Sequence, residues 1–142
     1  MGFSLIDKLY ANRNHEETVQ VLGRNVKFRV LGAAEEDDVL KSAASNNYFE
    51  LIQARRIPTL SRAIVSIDNV EWRDFDEIKQ RLRSNPQLEQ VQAIEQELRQ
   101  PVYTEDVIAA FFNAYSEFRG KYREELDALK KTSIPQSPVI AG

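Results

Sequence analysis

His15, the only histidine of the chain, stands directly before Glu16 and Glu17. Imidazole beside carboxylates is the material of a metal site or a general base, but ligands must be spaced so that three or four converge, and consecutive residues in a polar run are not. The spacing predicts an exposed loop histidine. Glu35, Glu36, Asp37 and Asp38 form the densest acidic run. A calcium loop needs alternating ligands and a central glycine, so this run reads as a first helical turn, where carboxylates oppose the positive end of the helix dipole. No G-x-S-x-G, H-E-x-x-H, phosphate-binding glycine loop or dinucleotide fingerprint occurs. Nothing in the placement of serine, histidine and aspartate favours a hydrolytic triad. The expectation is a non-enzymatic chain with no catalytic, cofactor-binding or metal-binding residues and no cofactor.

The aromatic series near the C-terminus is the feature that calls for a partner. Phe111, Tyr115, Phe118 and Tyr122 recur at spacings of four, three and four, as on one helix face, while Phe112 points about 100° from Phe111. One reading buries both sides inside the domain. The other makes the face of Phe111, Tyr115, Phe118 and Tyr122, with the hairpin edge that runs from Val19 through Val21 to Leu22, a docking surface for a client or for sister copies.

Those residues need elements to carry them. A length of 142 residues, 42% hydrophobic and 29% charged, fits one folded domain. The expected division is a domain over residues 1–131 and a flexible, uncharged tail over 132–142. The net charge of −3 is spread without a basic stripe, and even residues 1–32 hold only five Lys/Arg against three Asp/Glu, so no nucleic-acid partner is expected. No apolar run reaches the ~18 residues of a membrane span, and the N-terminal stretch lacks the basic and apolar regions of a signal peptide, so a soluble protein is expected. With no cysteine, disulfides are excluded.

TVQVLGRNVKFRVL alternates Val19 and Val21, then Val26, Phe28 and Val30. It predicts a hairpin, 18–22 and 26–31, turning at Gly23 and Asn25. Two strands alone are marginal, so helices or another chain's strand must complete them. Phe3, Leu5, Ile6, Leu9 and Tyr10 suggest a short helix before it, and 33–45 a helix after it, broken at Asn46-Asn47 and resumed in YFELIQARR. In RRIPTLSRAIVSIDNVEW the β-branched Ile64, Val65 and Ile67 favour a strand. Leu60, Ala63, Ile64 and Ile67 nonetheless recur at three, four and seven, so the reading is a helix from Pro58 that ends at Asp68-Asn69, with an extended Val70-Glu71-Trp72. Trp72 is read as a core or edge aromatic. Asp74 with Glu77 matches a capping box for a helix burying Phe75, Ile78 and Leu82, ended by Asn85-Pro86. Another helix covers 87–99, and Thr104 caps the longest one, which runs to Lys130-Lys131. The sum is an α+β domain, mainly helical, with about five helices packed on a short N-terminal hairpin and a long C-terminal helix.

In this order the chain resembles the tail assembly chaperones of tailed bacteriophages and the related small baseplate-hub assembly proteins. The similar pieces are the hairpin VQVLGRNVKFRVL, the acidic helix start, the segment RRIPTLSRAIVSIDNVEW and the closing helix FFNAYSEFRGKYREELDALKK followed by a tail. Together they cover about residues 18–131. Asn69 stands where the family pattern has glycine after Ile-Asp, keeping tolerance of positive φ. The resemblance implies a non-enzymatic protein that binds the tape-measure, hub or tube subunits of a phage tail in the host cytoplasm; the docking face adds a homo-oligomer as a further expectation. A permanent part of the virion tail or baseplate is the alternative it leaves open.

Overall fold

The computed structural model describes residues 15–43 and 48–133. The expected helix of Phe3 to Tyr10, the break at Asn46-Asn47 and the tail beyond Ser133 lie outside them. Strands β1 (Glu16–Val21) and β2 (Arg24–Arg29) pair antiparallel with Val19 opposite Val26. The turn is tighter than expected. Leu22 and Gly23 alone make it, at φ 51° and 78°, a geometry whose twist matches that of the strands, while Asn25 lies in β2 opposite Gln20.

Helices α1 (Ala33–Ser42), α2 (Tyr48–Ala54) and α3 (Arg56–Ala63) follow. Pro58 is the third residue of α3 rather than the first, still within the turn whose N–H groups have no helical partner. The largest departure from expectation comes next. Residues Ile64–Ile67 form strand β3, which pairs antiparallel with β2, Val26 opposite Ile67 and Phe28 opposite Ile64. Asp68 and Asn69, at φ 52° and 68°, are indeed left-handed, but they turn a strand into β4 (Val70–Glu71) instead of ending a helix. The result is one sheet in the order β1-β2-β3-β4. In the hairpin alone the far edge of β2 would carry unpaired backbone groups, and β-branched residues satisfy them better as a strand than as a further helical turn. The sheet thus completes the hairpin from within the chain. Asp68 ties the two turns together, accepting from the Asn25 N–H at 2.9 Å and from Arg24 at 3.2 Å.

Trp72 is buried, and its indole N–H donates to the Ile64 carbonyl at 2.9 Å. That anchor draws Trp72–Asp74 into a 3-10 turn, so α4 spans Asp76–Ser84 with Phe75, not Asp74, at its N-cap. The expected capping box does not form. Helices α5 (Gln90–Leu98) and α6 (Glu105–Ser133) complete the chain. The Thr104 hydroxyl accepts from the Val107 N–H at 3.3 Å, as expected of a cap, and α6 includes Thr132 and Ser133, two residues past its expected end.

The core lies between the sheet and the helices, around Val26, Phe28, Leu60, Ile78, Ile94 and Phe118. Each large side chain fully buried there contributes about 1.5–3 kcal/mol. No helix among the described residues is long and apolar enough to cross a membrane.

Candidate docking groove

The aromatic seam of α6 is largely interior. Phe118 is 2% and Tyr115 4% exposed; Phe28 of the hairpin lies 6.0 Å from Phe118 and 5.8 Å from Tyr115, centre to centre. Val21 is buried as well, and Val19 is half-buried against the same cluster. These four residues therefore pack in or against the core of their own chain and do not form an open face. Half-buried Tyr122 packs on His15, which sits 5.3 Å from it and 5.5 Å from Phe118. His15 is thus half-buried between rings, unlike the exposed loop residue expected, because its carbonyl accepts from the Val30 N–H and extends the β1–β2 ladder.

Phe111 behaves differently. It turns about a third of a helical circle from Phe112, and the two rings line separate hollows. Phe111 borders an apolar groove of about 310 Å³ between the hairpin end, α4 and the start of α6, with Ile67, Trp72, Phe75, Leu98 and Ile108 also on its walls. Leu22 stands at its mouth, 62% exposed. Val70, paired with Ile67, and Val102, next to Tyr103, are also exposed at 36% and 75%. Three of the four large exposed apolar side chains among the described residues thus lie in or beside the lining of one groove.

Leu22, expected to end the first strand and its docking edge, stands instead in the turn with a left-handed backbone. A left-handed conformation costs an L-residue roughly 1–2 kcal/mol, and asparagine, aspartate or glycine is the usual choice in such a turn. Leucine there accepts that strain and still leaves most of its side chain in water.

The polar floor of the groove is closed on itself. Glu97, 9% exposed, accepts from Arg81 at 3.2 Å and from the Tyr103 hydroxyl at 2.8 Å, joining α4, α5 and the loop before α6. Burial first, then the hydrogen bond and the negative charges of Glu97 and Glu77, push the Tyr103 hydroxyl up to about 12. Its folded pKa thus exceeds the ordinary value of 10.0, so the stabilisation is complete below pH 10.0 and is lost as pH rises through about 12. The melting temperature should fall across that window, and the fall should be smaller in Tyr103→Phe. Equal slopes for the two proteins would show that Tyr103 does not titrate in this way.

The second hollow, about 290 Å³, lies between α1 and α6 over Leu31, Val39 and Phe112, with Arg55, Arg119 and Arg123 on its walls. A third, polar one holds Arg29 and Glu35, which are paired to each other at 2.9 Å, a contact that also holds the Glu35 carboxyl below the usual range. Three of the four acids at the start of α1 are engaged in structural pairs: Glu35 with Arg29, Glu36 with Arg119 and Asp37 with Lys41. Among the described residues no three His, Cys, Asp or Glu side chains are arranged to hold a metal ion. What the apolar groove can do is accept an apolar side chain from another polypeptide. No protein-family model, curated protein or solved structure matches this chain.

Proposed function

We propose that this chain is a non-enzymatic bacteriophage tail assembly chaperone that holds other tail proteins, the tape-measure protein above all, while tail subunits polymerise in the host cytoplasm. The order of hairpin, acidic helix, central turn and aromatic closing helix supports the family reading. One observation carries the interaction reading: a strained and exposed Leu22 at the mouth of an apolar groove. A long helical client offers an apolar stripe every three to four residues, and its larger side chains would enter the groove while Leu22 and Phe111 grip the helix from either side.

The experiment is co-expression with the tape-measure protein encoded by the same phage. Leu22→Asn should leave the fold as stable as before or more so, since asparagine suits the turn, and should weaken client binding roughly tenfold or more. Phe111→Ser should weaken it as well. Retention of full affinity in both variants, with circular dichroism unchanged, would remove the groove from the binding site. Mass spectrometry of purified virions checks the stage of action. A chaperone is absent from the finished particle, whereas a protein present in stoichiometric amount is a permanent tail or baseplate component.

A further inference from the structure

The hairpin end carries both a knob and a hole, and that combination points to a particular occupant. Leu22 projects from the β1–β2 turn, and the apolar groove opens beside it, within the same end of the sheet. A surface holding both complementary features can pair with itself about a two-fold axis, each copy supplying what the other lacks. We infer that two copies of this chain associate through the hairpin ends, Leu22 of each seated in the groove of the other, and that this dimer is the resting state that a client must displace. The inference rests on the groove being a docking site, as proposed above, and adds its regulation.

The charges around the groove suit this pairing. Arg24, two residues from Leu22, lines the hairpin side; it pairs with Asp68 of its own chain at 3.2 Å but keeps its side chain 67% exposed, with donors left for a second carboxylate, while Glu77 lines the α4 side and is exposed without an ion-pair partner among the described residues. When the hairpin end of one copy enters the groove of its partner, Arg24 approaches an α4 that carries Glu77. The opposite reciprocal contact follows by symmetry, so each dimer gains two such encounters. A rim of one sign would instead repel its own copy. The same contact buries Leu22, and with it Val70 and Val102 at the margin, three of the four large exposed apolar side chains among the described residues.

Sedimentation equilibrium of the full chain over roughly 1–300 µM tests this directly. A monomer–dimer equilibrium is expected, with the dimer weakened about tenfold or more by Leu22→Asn. Glu77→Arg should weaken it by a smaller factor, because the partner's Arg24 then meets a like charge, and Glu77→Gln by less than Glu77→Arg. Titrating in a tape-measure fragment should convert dimer to a one-to-one complex. A chain that stays monomeric over the whole range, or a dimer indifferent to Leu22→Asn, overturns the inference. The two readings fail separately: a monomer that still captures the client removes the dimer alone, and a Leu22-dependent dimer that ignores the client removes the chaperone assignment while the self-association stands.

Discussion

Phe118→Ala is expected to lower the unfolding free energy by about 3–5 kcal/mol, a large part of the roughly 5–15 kcal/mol that holds a domain together. The ring is 2% exposed and sits among Phe28, Tyr115 and His15, at 6.0, 6.1 and 5.5 Å between centres. Truncation loses the transfer free energy of the ring and opens a cavity. The surroundings cannot close it easily, because Phe28 is held by ladders on both sides of β2 and Tyr115 by the same helix that carries residue 118. Urea unfolding followed by the fluorescence of Trp72, the single tryptophan, measures the effect without involving the substituted ring. An unchanged midpoint would show that α6 does not lie on the sheet. Phe111→Ser, at the groove wall, should cost clearly less, and that contrast separates the core aromatic from the docking aromatic on one helix.

Trp72→Ala should be comparably damaging, again about 3–5 kcal/mol. Trp72 is 8% exposed, lies 5.9 Å from Phe75 and donates its indole N–H to the Ile64 carbonyl at 2.9 Å. It therefore joins the first residue of β3 to the entrance of α4. Removing it strips a wall from the apolar groove and frees the 3-10 turn that sets where α4 begins. Trp72→Phe keeps most of the packing and loses only the donor, so about 1–3 kcal/mol is expected. Amide hydrogen exchange distinguishes the anchor from simple bulk, since both variants should speed exchange in Ile64–Ile67 more than in β1. Uniform acceleration across the sheet would show that the indole hydrogen bond does not hold β3 in place.

Trp72 also explains why spacing alone does not place the centre of the chain. Leu60, Ala63, Ile64 and Ile67 do form one apolar set, but the set crosses from α3 into β3. Four positions cannot separate a helical face from a helix end followed by a buried strand, because both place these side chains against the same core. The decision was made by β2, distant in sequence, whose open edge needed hydrogen-bond partners, and by the Trp72 indole that closes over Ile64. In the same way Asp74 and Glu77 had the right spacing for a cap, yet Trp72 pulled residue 74 into a turn.

What the sequence determined alone was local: the β1–β2 hairpin from its alternation, α6 from its period and its Thr104 cap, the acidic start of α1, and the left-handed tolerance of Asp68-Asn69. Each follows from side-chain spacing, capping or turn chemistry within a few residues, forces that act before the chain is folded. Only the tertiary structure decided that Ile64–Ile67 is a strand, that Tyr115 and Phe118 are core while Phe111 faces a groove, that His15 lies between rings, and that a strained Leu22 stands at the groove mouth. Periodicity reports which side chains leave water; it carries no information about what covers them, because that depends on segments many residues away meeting in space.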